Sequence, residues 1–221
     1  MGQKIRPDSF RLGITETWRS HWFARKSYKD QLEEDELIRN LIREKIGAAG
    51  VVRIDIERNA GNNYRITIKA ARPGLVIGHG GKGIENLSKI LDSALKKVMR
   101  KRGIKTPAFS INLNIEELKR SEASAAYTAQ LIAQDLEKRL PSHRTIKKHL
   151  DLIMQSKDVL GAKIKLSGRL DGAEIARRNW LARGKLPLQT LRANVDYGEA
   201  TAFNTYGTVG IKVWVYKGEI I

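Results

Sequence analysis

Between residues 30 and 117 the spacing of apolar side chains switches from a helical period to a period of two and back again. That order restricts the fold more than any other feature of the chain. Leu37, Ile38, Leu41, Ile42 and Ile46 form a one-sided helical stripe, which Gly47 and Gly50 end. Val52, Ile54 and Ile56 then alternate with Arg53, Asp55 and Glu57. Asn59-Ala60-Gly61-Asn62 signals a turn, and Tyr64, Ile66, Ile68 and Ala70 resume the alternation. The pattern predicts a β-hairpin over 51–71 with one buried face. Arg72-Pro73-Gly74 stops the second strand, Leu75-Val76-Ile77 fits one helical turn, and Gly78-His79-Gly80-Gly81 follows. Ile84, Leu87, Leu91, Ala94, Leu95 and Val98 mark a second amphipathic helix, and Phe109, Ile111, Leu113 and Ile115 alternate as a strand.

The pattern restarts near residue 118. Ala125, Ala129, Ile132, Ala133, Leu136 and Leu140 share a helical face that Pro141 breaks, and Ser142 is placed to cap the next helix. That helix carries Ile146, Leu150 and Ile153 on one face and Arg144, Lys147 and Lys148 on the other. Ala162/Ile164/Leu166, Leu191/Ala193/Val195/Tyr197 and Ile211/Val213/Val215 alternate as strands, while 174–186 fits helix or strand. The fold class is therefore α+β in two domains: residues 29–117, and 118–221 with two helices packed on an antiparallel sheet. Residues 1–28 read as a basic arm. Arg11, Trp18, Arg19, Trp22, Phe23 and Arg25 suit either loose packing or a stretch lying along RNA. Little apolar surface is available there to offset the entropy of ordering before assembly.

Charge narrows the function. There are 41 Lys and Arg against 24 Asp and Glu, a net charge of +17. Such an excess repels itself in a compact state and favours a polyanionic partner, because each neutralised phosphate releases counterions. An anionic membrane surface would serve too, but no amphipathic anchor accompanies the charge and no apolar run approaches the roughly 20 residues of a span. The absence of cysteine excludes disulfides and thiolate metal sites. Residues 1–7 lack the apolar run of a signal peptide, so a cytoplasmic location is expected. His21, His79, His143 and His149 show no metal-ligand spacing with carboxylates, and no nucleophile or nucleotide-binding signature is present. No enzyme, metal or cofactor is expected.

A lone Gly-x-x-Gly is weak evidence among 19 glycines. Here it follows a strand and a short apolar turn, and it opens a basic helix. Glycines let the chain approach a sugar-phosphate backbone, and the free N–H groups of the next helix face phosphate. The order of elements resembles the type II KH domain (αββααβ, with a three-stranded mixed sheet), whose loop clamps about four nucleotides.

Further motifs resemble one family closely. Gly2-Gln3-Lys4 with Pro7, Arg11-Leu12-Gly13, Trp18-x-x-x-Trp22-Phe23-Ala24 and Ala71-Arg72-Pro73-Gly74-Leu75-Val76-Ile77-Gly78 are similar to the KH-containing third protein of the bacterial small ribosomal subunit. So are Ser167-Gly168-Arg169-Leu170, Gly172-Ala173-Glu174-Ile175-Ala176-Arg177, Leu191-Arg192-Ala193, Tyr206-Gly207 and Gly210-Ile211-Lys212-Val213-Trp214. The resemblance runs in order over nearly the whole chain. It implies a structural constituent of the subunit head that binds 16S ribosomal RNA and lines the channel where messenger RNA enters, holding the message and passively helping to unwind it. It implies neighbouring head proteins, numbers ten and fourteen of the subunit, as partners, with no membrane and no homo-oligomer. His143, Arg144, Lys147 and Lys148 match the family's entry-channel patch. Three departures stand out. His79 and Gly80 occupy loop positions where relatives usually carry basic residues. His143 stands where arginine is common, and histidine carries less charge at neutral pH. Segment 96–106 is longer.

The residues expected to meet RNA are Gly78, His79, Gly80, Gly81 and Lys82 in the loop, and Lys96, Lys97, Arg100, Lys101, Arg102 and Lys105 at the end of its helix. In the second domain they are His143, Arg144, Lys147, Lys148, Arg169, Arg177 and Arg178, with Arg183 and Lys185 as further candidates. Trp180, Trp214, Tyr206 and Phe203 are expected to pack rather than stack on bases. A free-standing regulatory KH protein is the alternative, and it leaves the second domain's motifs unexplained. Affinity for RNA is expected to fall steeply with salt, log K against log salt dropping by about 0.7–0.9 per phosphate neutralised. A salt titration of RNA affinity checks this, and a flat response would remove the electrostatic basis of the reading.

Overall fold

The computed structural model describes residues 4–24, 27–59, 63–103, 109–119 and 121–220. A single turn, α1 (Pro7–Phe10), and a two-residue strand, β1 (Ser20–His21), precede the long helix α2 (Tyr28–Ile46). The strands β2 (Val51–Asn59) and β3 (Asn63–Ala70) follow. One turn, α3 (Pro73–Ile77), leads through the glycine loop into α4 (Lys82–Lys101) and then β4 (Ser110–Glu117). The chain divides into two compact units, Trp18–Lys119 and Met1–Thr17 with Arg120–Ile221.

In the first unit α2 buries Ile38, Ile42 and Ile46, one residue per turn, and α4 buries Leu87, Leu91, Leu95 and Met99 at the same spacing. Both helices lay these rows on Ile54, Ile56, Tyr64, Ile66 and Ile68 of the hairpin. β2 and β3 pair antiparallel with Ile54 opposite Ile68, while β3 and β4 pair parallel with Ile66 opposite Leu113. A parallel pair needs a crossover, and α3 with α4 supplies it. The αββααβ order and the mixed sheet are thus as the sequence implied, with β1 added in parallel at the β2 edge. A register shift between Val51 and Arg53 turns Val51, rather than Val52, into the core.

A buried polar network holds this unit at one end. Asp35 is fully buried. Its Oδ2 accepts from Ser20 Oγ at 2.7 Å and Trp22 Nε1 at 2.8 Å, and its Oδ1 pairs with the Arg58 guanidinium. Arg58 also reaches Glu34 Oε2 at 2.7 Å, to which Tyr64 Oη donates at 2.8 Å. A buried carboxylate is tolerated only when paired and fully hydrogen-bonded.

In the second unit come α5 (Ala125–Glu137), α6 (Ser142–Gln155), and strands β5 (Gly161–Gly168), β6 (Arg177–Gly184), β7 (Ala193–Asn204) and β8 (Gly207–Glu219). The sheet order is β6-β5-β8-β7 and every pair is antiparallel. Ile132, Ile146, Leu150 and Ile153 of the helices pack on Ile164, Leu166, Ile211, Val213 and Val215. The ambiguous stretch 174–186 contains β6, a strand at the sheet edge.

The single arm expected over residues 1–28 is corrected by these contacts. Residues 4–17 belong to the second unit and 18–24 to the first. Arg11 is fully buried and donates to the carbonyls of Pro7 (3.1 Å), Pro187 (3.3 Å), Leu188 (3.0 Å) and Thr190 (2.9 Å), so it packs into the second unit. Arg6 pairs with Glu199 at 3.0 Å. Trp22 is held by Asp35. The ordering is polar, which a count of apolar surface does not register.

Replacing Asp35 by Ala strands Arg58 and removes the acceptor of Ser20 and Trp22. The expected loss is about 3–5 kcal/mol, read as a lower urea midpoint for the 18–119 unit. Glu44→Ala on the exposed side of α2 is the control, with a shift under about 0.5 kcal/mol.

Candidate nucleic-acid interface

The glycine loop is built by a close crossing of backbones. Gly78 has φ +68° and ψ −178°, a region essentially restricted to glycine. A Cβ on Gly83 would stand 2.4 Å from the Val76 carbonyl oxygen and 2.8 Å from that of Ile77, so α3 and α4 meet here without side chains between them. Gly78, His79 and Gly80 are exposed, as is Lys82, the first residue of α4. No side chain caps the N-terminus of α4; the Lys82 N–H donates to the His79 carbonyl, and the helix dipole favours an anion at this end. Leu75 and Ile77 on α3 are exposed beside the loop and offer apolar surface to bases. Periodicity predicts only a short helical turn there, and it does not distinguish an exposed apolar turn from a buried one.

The end of α4 divides its cations. Lys97, Arg100 and Lys101 stand exposed on the outer side of the helix, at the i, i+3, i+4 spacing of one face. Lys96 pairs with Asp92 at 2.6 Å and lies 6.0 Å from the Phe109 ring. Arg102 is engaged within its own unit. Its guanidinium binds Glu33 and Glu34 at 2.6 Å each and the Asp30 carbonyl at 3.0 Å, so it fastens α4 to α2. Lys105 lies outside the described residues.

On α6, His143, Arg144, Lys147 and Lys148 are all exposed, while Ser142, Thr145, Ile146, His149 and Leu150 are buried. The i, i+1, i+4, i+5 spacing turns the four basic side chains to one side. Lys148 lies 3.6 Å from Asp135, whose carboxylate also holds the buried His149 ring at 2.9 Å. Cations in the first turns oppose the helix dipole. Asp171 answers this from 29 residues away: its carboxylate accepts from the Ser142 N–H and from Ser142 Oγ, both at 2.8 Å. Ser142 is therefore the first residue of α6, not its cap. Asp171 adopts φ +53°, a left-handed conformation that Asp tolerates better than most residues.

Arg169 is likewise engaged within its own unit. Its Nε donates to the Ala173 carbonyl at 2.8 Å and its Nη1 to that of Tyr206 at 3.2 Å, closing the loop before β6 against the β7–β8 turn. Arg177 and Arg178 are exposed at the start of β6, and Lys185 is exposed beyond its end. Arg183 is ion-paired with Asp151 of α6. Trp180, Phe203 and Tyr206 are exposed rather than packed, whereas Trp214 is half-buried. Among the described residues no cluster of His, Asp and Glu suits a metal ion.

Among the described residues expected to meet RNA, exposed cations stand at the glycine loop with Lys82, on the outer side of α4, on α6 and at β6 with Arg177, Arg178 and Lys185. Substituting both Gly80→Asp and Gly81→Asp puts negative charge and β-carbons where a phosphate backbone must approach. Affinity for single-stranded RNA is expected to fall about tenfold or more with an unchanged circular dichroism spectrum.

Comparison with known proteins follows the same division. Residues 37–123 match the family model of the KH domain, and residues 132–215 match that of the ribosomal protein S3 C-terminal domain. Several relatives named small ribosomal subunit protein uS3 align over the chain. That of Syntrophomonas wolfei is 44% identical, the alignment covering 100% of this chain and 91% of the relative. That of Clostridium botulinum (strain Okra) is 46% identical, covering 100% and 94%. That of Pseudothermotoga lettingae is 44% identical, covering 99% of each.

Proposed function

The chain belongs to the small ribosomal subunit protein uS3 family, and on that premise we propose that it is a structural, non-enzymatic constituent of the small subunit. In this reading the glycine loop and the outer side of α4 bind 16S ribosomal RNA in the subunit head. The α6 face lines the entry channel for messenger RNA, with head proteins ten and fourteen as neighbours.

The observation that supports the channel role is the state of α6. Arg144 and Lys147 are exposed and form no ion pair among the described residues, while Asp135, Asp151 and Asp171 are all engaged by α6 or its neighbours. Those three carboxylates are held by His149 and Lys148, by Arg183, and by the helix N-terminus. The helix is thus fixed from behind while its cations stay open to a phosphate chain. Such a surface holds a strand by charge and cannot itself drive unwinding. Holding one strand of a duplex as the chain advances biases it toward opening, and the work comes from movement elsewhere.

Arg144→Ala with Lys147→Ala removes two open cations without touching a buried group. The expected outcome is slower translation through a stable messenger hairpin, with normal rates on unstructured messages and near-normal incorporation into the small subunit. Failure of incorporation would instead assign these residues to an assembly contact.

A further inference from the structure

The C-terminal sheet has two faces, and on the one turned away from α5 and α6 only Arg178 is among the expected RNA contacts. Ala162, Ile164 and Leu166 of β5 turn toward α5 and α6, so Lys163 and Lys165 turn the other way. The register places Trp180 of β6 on one side of Lys165 and Lys212 of β8 on the other, forming a row across three strands. Adjacent strands lie about 4.8 Å apart, so the row spans roughly 10 Å. In the next row Arg178 stands beside Ser167 and Gly210, whose small size leaves the surface low.

Trp180 is 55% exposed, an unusual state for so large an apolar ring on a sheet face. Lys163 Nζ lies 4.5 Å from its ring centroid and 5.9 Å from that of Trp214. Burial lowers the pKa of Lys163, and the nearby charges of Lys4 and Lys165 lower it further. Glu199, opposite Lys212, is already engaged by Arg6 at 3.0 Å and by Tyr197 Oη at 3.0 Å.

We propose that this outer face is a further RNA-binding surface, on which Trp180 stacks an unpaired base while Arg178, Lys165 and Lys212 hold the flanking phosphates. The proposal rests on the reading of the chain as an RNA binder but assigns the contact to a part of the fold outside the loop and the α6 helix. An exposed indole among lysines and an arginine is the combination that single strands use, since any base has a π-face and every nucleotide carries a phosphate. An acidic protein would match the charges but would have no need of the ring. Lys163 and Lys165, two residues apart, are separated by about 6.7 Å along the strand, a spacing that successive phosphates of an extended strand can meet.

The test uses the full chain and a 4-thiouridine-substituted oligouridylate. Its affinity is measured by anisotropy over a range of salt, and its photoadducts are mapped by peptide. Trp180→Ala is expected to weaken binding about tenfold with little change in the salt slope, because stacking is not electrostatic. Lys165→Glu with Lys212→Glu is expected to reduce the slope by about 1.4, from roughly 0.7 per phosphate contact. Adducts are expected on the β6 peptide. Circular dichroism verifies that each variant is folded. If the wild type binds and crosslinks only through the glycine loop and α6, and Trp180→Ala binds as well as wild type, this surface is refuted while the general RNA reading survives. If the wild type binds no RNA, both fall. If a polyglutamate peptide of equal charge binds as tightly and both variants affect it equally, the face takes an acidic protein and the proposal is overturned.

Discussion

In a chain with 41 basic and 24 acidic side chains, the carboxylates that pair with charge inside the fold hold its elements together. Asp35 is the clearest case. Sealed from water, it joins β1, the Trp22 ring and β2 to α2 through one carboxylate. Glu33 and Glu34 extend the same helix to Arg102 at the end of α4. Asp135 steadies α6 through His149, and Asp171 binds its N-terminus. With these acids engaged inside each unit, Lys97, Arg100, Lys101, Arg144 and Lys147 remain exposed. Structural support and the basic surface are therefore made by the same partition of charge. Removing an acid from within would both loosen the fold and release a cation that was never meant to face solvent.

The elements with several turns or several alternations were legible in the sequence because burial imposes a period on them. Helices α2 and α4, the β2–β3 hairpin and strands β5 and β8 all follow from the positions of Ile, Leu and Val. Strand β1 has two residues and no period to detect; it exists because Ser20 and His21 find partners in Ile56 and Glu57. Strand β6 was ambiguous because an edge strand with one open face carries Arg178 and Trp180 where a fully covered strand would carry aliphatics.

The candidate site was legible as a composition and not as an inventory. Lys101 and Arg102 are neighbours with like charge, yet Lys101 is open and Arg102 is bound to α2. What separates them is the position of Glu34, 68 residues away in sequence. Arg169 and Arg177 differ in the same way, since only the first lies against the Tyr206 carbonyl. Local sequence states how much charge a segment has. Tertiary contacts decide how much of it remains for a ligand.

The tether made by Arg11 also bears on how the chain is completed. Its guanidinium docks on the Leu188 carbonyl, 177 residues later, and the whole 18–119 unit is inserted between the two. At synthesis rates of about 5–20 residues per second, the N-terminal segment emerges from its ribosome roughly 10–35 seconds before its dock exists. The inserted unit has its own core and needs nothing made later, so it can fold during that interval. The C-terminal unit cannot close until residues 187–190 and the β7–β8 pair have been made. A chain interrupted before residue 187 leaves a buried-type arginine and its segment without a seat, a mark by which incomplete copies differ from finished ones before any RNA is met.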